Sequence, residues 1–261
     1  MCHKLSDERG EDEIKPRAAI VTGASGDIGC ALVRDFSEAG YYVIATDLKT
    51  PRNELCCDQF LNVDLRRTVL DYSYANEVFS EIREILKQRY LGVIINNAAS
   101  QIVAKIEELT VGDWNNALQV NLLAPFFWTQ AFLPELEKAR GNVVNISSIH
   151  ARLSKPKFTV YATTKAALSG LTRSMALELG DRIRVNTIEP AAVDTKMLRE
   201  GFRDNPAGLD KLEGYHPTKS IGMPEEVSRV ALMLTDNKLQ FLNGASIPLD
   251  GGIGCRLHDP A

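Results

Sequence analysis

The chain has 261 residues, 44% of them apolar and 25% charged, enough to bury a substantial core within one globular domain. A net charge of −4 with scattered basic residues leaves no electrostatic footprint for nucleic acid or an anionic membrane, so neither partner is expected. Five cysteines (Cys2, Cys30, Cys56, Cys57 and Cys255) have no metal-ligand spacing, and no metal is expected; their odd number, without a secretory signal, points to a reduced, cytoplasmic setting.

Residues 1–16 are charged where a signal peptide would be apolar and are expected to form a flexible tail. No apolar run reaches the ~18 residues of a membrane helix. Residues 17–261 are read as a single domain, in which short apolar runs alternate with helix-length amphipathic ones. That alternation predicts an α/β fold, a doubly wound parallel sheet with helices on both faces.

The first run, AAIVTGASGDIG, predicts a buried strand, a glycine turn and a helix from Ile28 to Ala39 stopped by Gly40. Glycines there let backbone approach a pyrophosphate, and the N–H groups of the helix start face its charge, although such turns also join strands to helices for steric reasons alone. Asp27 is expected to turn away and cap the Ile28 helix, leaving Gly26 for the close approach. The next strand, YYVIATD, ends in Asp47, whose carboxylate can accept from adenosine ribose hydroxyls and would repel a 2′-phosphate. NAD is therefore favoured; Lys49 and Arg52 keep NADP as the minority reading, and an ordinary strand-end aspartate is the structural alternative.

A third strand, FLNVDL, brings Asp64 and Leu65 to the sheet edge, where Asp64 by itself reads as a turn residue. Val78, Ile82, Ile85 and Leu86 recur at helical spacing as a core stripe. VIINNAAS is a buried strand closed by Asn96 and Asn97, and Asn121 follows within one long predicted helix, where it either kinks or caps, beside a Pro125 able to break the pattern unaided. GNVVNISSIH ends a further strand in Ser147 and Ser148, at the carboxyl edge where open α/β sheets bind ligands.

The proline-free run VYATTKAALSGLTRSMALEL predicts one helix, with Tyr161 and Lys165 four residues apart on one face. A lysine cation one turn away would stabilise the phenolate and lower a tyrosine pKa from near ~10, though the same pair occurs on solvated helices. Ala162, Ala166, Gly170 and Ser174 line up at intervals of four, as either a subunit contact or core packing. After IRVNTI comes EPAAVDT, and residues 194–220 lack clean periodicity, as in a substrate lid. PEEVSRVALMLT and SIPLDGG close the sheet, with Ile253–Ala261 free to reach a neighbouring subunit.

Taken together, TGASGDIG, NNAA, and Ser148, Tyr161 and Lys165 at this spacing resemble the short-chain dehydrogenase/reductase family from about Ala18 to Gly252. The resemblance implies a Rossmann-like sheet of about seven strands, hydride exchange between NAD and a secondary alcohol or ketone, and a homotetramer or dimer joined through the Tyr161 helix. It implies Asn121, Ser148, Tyr161 and Lys165 as catalytic residues, with Asn121 kinking its helix and holding a water on the way to the lysine. Its cofactor positions fall on Gly23, Ser25, Asp27, Ile28, Asp47, Asp64, Leu65, Asn97, Ala98, Ala99, Tyr161, Lys165, Pro190, Ala191, Val193 and Thr195. Asp27, Ala99 and Ala191 stand where family members carry glycine, and no Arg or Lys occupies Ser25 or Gly26, where NADP-dependent members often have one. An NADP-dependent ketoreductase acting on acyl-thioesters, for example, and a non-catalytic NAD-binding regulator are the alternatives, the latter typically lacking the tyrosine or lysine. The substrate pocket is expected to draw on His150, Phe158, Ala192, Met197 and the lid.

Overall fold

A computed structural model describes residues 16–50 and 55–257, so residues 1–15 of the expected tail, residues 51–54 with Arg52, and the last four residues lie outside the described part. Seven parallel strands form one sheet: β1 (Arg17–Thr22), β2 (Tyr42–Asp47), β3 (Gln59–Asn62), β4 (Tyr90–Asn96), β5 (Asn142–Ile146), β6 (Arg184–Pro190) and β7 (Ser246–Leu249), in the order β3-β2-β1-β4-β5-β6-β7. The order reverses between β1 and β4, and in such sheets ligands bind beyond the strand C-termini at that crevice.

Helices cover both faces, which explains why the central strands read as continuous apolar runs. They are α1 (Asp27–Glu38), α2 (Leu65–Leu70), α3 (Tyr72–Leu86), α4 (Val111–Leu118), α5 (Ala124–Ala131), α6 (Leu133–Ala139), α7 (Thr159–Leu179), α8 (Lys196–Gly201), α9 (Pro206–Tyr215) and α10 (Pro224–Thr235). On one face Ile20, Ile44, Ile94 and Val185 pack against Phe79, Ile82, Trp128 and Met175. Trp128 is fully buried, meets Phe79 edge-on at 5.5 Å and donates its indole N–H to Thr68 Oγ1 at 3.0 Å, so this large side chain leaves no polar group orphaned. On the other face Val21, Val43, Ile95 and Ile188 pack against Leu32, Phe36, Val227 and Leu234.

Three expectations change. The helix expected through Asn121 is broken by a π-helical stretch, Gln119–Leu123, between α4 and α5, while Pro125 sits harmlessly in the first turn of α5. The segment expected to be an aperiodic lid contains α8 and α9, started by Thr195 and Asn205, whose side chains accept from Leu198 N–H and Gly208 N–H. Along α7, Leu168 and Met175 enter the core, but Ala166 and Ser174 are exposed and Ala162 and Gly170 half-covered, so packing within the subunit does not account for the small-residue stripe.

Candidate active site

The end of β1 is stapled to the end of β4. Thr22 Oγ1 accepts from Asn97 N–H (3.1 Å) and Ala98 N–H (3.2 Å), while Asn97 Nδ2 donates to the carbonyls of Thr22 (3.0 Å) and Gly23 (2.9 Å). Gly23 adopts φ +65°, and a Cβ there would fall 2.7 Å from Ala98 Cα; one at Gly29 would fall 2.1 Å from the Gly23 carbonyl oxygen. Both glycines are therefore fixed by the protein's own packing. Gly26 is not: a Cβ there would meet only the Gly23 oxygen at 3.6 Å, an ordinary contact, so its bareness leaves space in front of α1. The amides of Asp27, Ile28 and Gly29, in the first turn of α1, have no partner among the described residues, which suits a pyrophosphate.

The expected capping role of Asp27 is corrected here. Gly26 is the N-cap of α1 and no side chain caps the helix. Asp27 already lies inside the first turn, and its Oδ2 instead accepts from the backbone N–H of Lys196, the first residue of α8, at 2.6 Å. A residue placed one position into a helix cannot fold back onto its own leading amides as an N-cap does, and an unsatisfied N–H at the start of α8 offers the carboxylate a donor.

Asp47 sits at the end of β2 with Oδ2 accepting from Ser25 N–H (2.9 Å) and Oδ1 from Lys49 N–H (3.3 Å), which holds the carboxylate against the glycine turn. Asp64 is engaged with Arg66, accepting from its backbone N–H (2.9 Å) and its guanidinium (3.0 Å), and so caps α2; Leu65 follows as the first helical residue, partly buried. Arg66 and the backbone amides that the carboxylate accepts from hold the Asp64 pKa below its ordinary value although burial opposes them. Ala99 lies in the loop after β4; Pro190 ends β6, Ala191 N–H donates to the Leu249 carbonyl (3.0 Å), and Val193 bridges to Gly222. Thr195 caps α8 as an acceptor, which leaves its O–H free to donate.

Ser148, Tyr161 and Lys165 come together at the mouth of this crevice. The β5 terminus delivers Ser148, and α7 presents Tyr161 and, one turn on, Lys165. His150 links Ser148 and Tyr161, its backbone N–H donating to Ser148 Oγ at 3.1 Å and its ring meeting that of Tyr161 edge-on at 5.8 Å, and Lys165 Nζ lies 5.6 Å from the Tyr161 ring centroid. Lys165 is 2% exposed and donates to the Ile146 carbonyl at 2.6 Å. Burial pulls its pKa down to about 7 and pushes that of Tyr161 up to about 12, the neighbouring Ser148 hydroxyl opposing only part of the latter. The expectation that a lysine cation lowers the tyrosine pKa is thus not met: both groups are desolvated, and each favours its neutral form.

Asn121 is buried at the π-helical stretch, where its Oδ1 accepts from Ser100 N–H (2.7 Å) and its Nδ2 donates to the Ser100 carbonyl (2.9 Å) and to Thr164 Oγ1 (3.0 Å). It ties the loop after β4 to α7 beside Lys165. Ser100 and Thr164 escaped the sequence reading because a serine in a loop and a threonine in a helix carry no distinguishing pattern. The buried Glu189 escaped too; an acid in an apolar strand is a signal that a partner is needed. Its partners are Arg152 Nε (2.7 Å) and Ser169 Oγ, which donates to it (2.9 Å) and lies 3.1 Å from Ser147 Oγ.

Residues 23–254 match the family model described as enoyl-(acyl carrier protein) reductase. The chain is 31% identical over 258 residues to protein FixR of Bradyrhizobium diazoefficiens, covering 94% of this chain and 88% of that protein. Among solved structures, ligand-free aldohexose dehydrogenase of Thermoplasma acidophilum superposes with a TM-score of 0.86 at 28% identity, over 95% of this chain and 97% of the other. A 4-hydroxyisoleucine dehydrogenase complexed with NADH gives 0.81 at 25% identity, over 92% and 100%. The chain belongs to the short-chain dehydrogenase/reductase family of nicotinamide-dependent oxidoreductases acting on alcohols and ketones.

Proposed function

We propose that the protein transfers hydride reversibly between NAD and a secondary alcohol or ketone, with Tyr161 as general acid/base. The observation that carries this reading is the cluster at the crevice mouth: Ser148 at the end of β5, the Tyr161 phenol on α7, and the buried Lys165 amine one turn on, 5.6 Å from the phenol ring centroid. Tyr161 takes the carbinol proton in the oxidising direction and returns it in the reducing one. Ser148 holds the substrate oxygen against the phenol as charge develops on it. Lys165 donates one N–H to the Ile146 carbonyl; its neutral amine keeps one more for a ribose hydroxyl, and protonation adds a third for the phenolate. When bound, the oxidised cofactor supplies the hydride acceptor and a positive charge that favours phenolate over phenol. Asn121 acts at one remove by fixing the Ser100 loop and Thr164.

The doubly anchored Asp47 supports NAD, because a 2′-phosphate would be placed against a carboxylate held in position by two backbone amides. Comparing kcat/KM for NAD and NADP across secondary alcohols should give a preference for NAD of about a hundredfold or more. Asp47→Ala should narrow it. Equal values for the two cofactors in the wild type would contradict the assignment.

A further inference from the structure

His150 follows Ser148 by two residues, and its backbone N–H donates to Ser148 Oγ at 3.1 Å. Its imidazole stacks on Phe158, with ring centroids 4.7 Å apart and planes within 23°, and meets the Tyr161 ring edge-on at 5.8 Å. The side chain therefore lines the same opening as the general acid/base. Nδ1 is 3.2 Å from the carbonyl oxygen of Leu153, and a carbonyl only accepts, so Nδ1 carries the proton. In the neutral ring the lone pair is then on Nε2, on the side facing away from Leu153. Among the described residues Nε2 has no partner, and it is not sealed from solvent, so this acceptor is open on a ring that meets Tyr161 edge-on.

Burial, with the Lys155 ammonium that lies over the Phe158 ring at 4.4 Å, lowers the His150 pKa, while the Leu153 contact opposes the shift. The imidazole therefore stays neutral at neutral pH. A neutral acceptor suits a hydroxyl and repels a carboxylate oxygen.

We infer that His150 Nε2 accepts a hydrogen bond from a second hydroxyl next to the reacting carbinol, so that the substrate is a vicinal diol, such as a sugar or another polyol. This rests on the reading of Ser148, Tyr161 and Lys165 as the reacting site. Ser148 and Tyr161 engage one oxygen and His150 the neighbouring one, and the backbone bond from His150 to Ser148 keeps the two receptors in register. A simple secondary alcohol leaves the Nε2 acceptor unanswered.

The test compares matched pairs, cyclohexane-1,2-diol against cyclohexanol and butane-2,3-diol against butan-2-ol, with NAD, by kcat/KM. The wild type should favour the diols by about tenfold or more. His150→Phe, which keeps the stack on Phe158 but has no acceptor, should lower the diol-to-alcohol ratio by about tenfold. His150→Gln, whose amide can donate to Leu153 and still offer an oxygen, should recover part of it. A ratio that is unchanged in His150→Phe, or a wild type that favours the mono-alcohols, overturns the diol assignment while leaving the hydride-transfer reading standing. A wild type that oxidises none of the four overturns both.

Discussion

Lys165 is the residue whose environment departs furthest from that of a surface helix. Its pKa, pulled down to about 7 by burial, means that between about pH 7 and the ordinary lysine value near ~10.4 the unfolded chain binds a proton that the folded chain has released. With more protons bound in the unfolded state, stability must rise with pH across that window, and below it the full cost of charging a buried ammonium is constant. Tyr161, pushed up to about 12, works in the opposite sense but only above the ordinary tyrosine range. Lys165→Met removes the titrating group without removing the packed stem. Urea unfolding at about pH 7.5 and about pH 9.5 should therefore show the wild type gaining on the variant at the higher pH. Parallel pH dependence would mean that the ammonium is solvated in the folded protein.

The same residue marks what sequence could and could not tell. Spacing alone put Tyr161 and Lys165 on one helical face, and they are there. The sign of their pKa shifts was not legible, because desolvation depends on the layers that close over α7, among them the Ile146 carbonyl and the Ser147–Ser169–Glu189 chain. Local pattern fixes which face a side chain occupies; what covers that face comes from strands far along the chain.

Among the elements, α1 and α8 illustrate that limit further. Both starts were near places a sequence reading could mark, yet the bond between them joins Asp27 to Lys196. No local rule anticipates it. Since Asp27 holds the start of α8 and does not cap its own helix, Asp27→Ala should cost about 1 kcal/mol or less in global stability, as expected of an exposed hydrogen bond. Limited proteolysis within residues 194–220 should instead accelerate several-fold, because the segment loses an anchor to the rigid turn. Unchanged cleavage of this segment, together with a clear loss of global stability, would restore the capping role. The π-helical stretch around Asn121 was equally hidden: the residue was recognisable as a buried polar group needing a reason, but the reason is a main-chain clamp on Ser100 across the crevice. Weak periodicity concealed α8 and α9, since short helices are defined more by their caps, Thr195 and Asn205, than by an apolar stripe.

For the whole molecule, the alternation of apolar and amphipathic runs was sufficient for the sheet, because a parallel strand buried on both faces leaves an unbroken apolar signature. The candidate site at its C-terminal edge was legible where the proposed chemistry demands a residue type and was not where geometry can be met by several. The strand-end Asp47 and the Ser148, Tyr161 and Lys165 set belong to the first group, whereas glycines 23 and 29 are demanded by the close approach of neighbouring backbone. The central claim is that this architecture brings a bound cofactor and an alcohol to Tyr161, which moves the proton while the rest of the crevice only binds. Tyr161→Phe, in a chain with the phenyl ring and Lys165 retained, measures it most directly by single-turnover reduction of NAD beside a binding titration of the cofactor. Turnover should fall by about 10² to 10⁴ or more while the cofactor Kd stays within about threefold. Turnover equal to that of the wild type, with cofactor binding intact, would contradict the account.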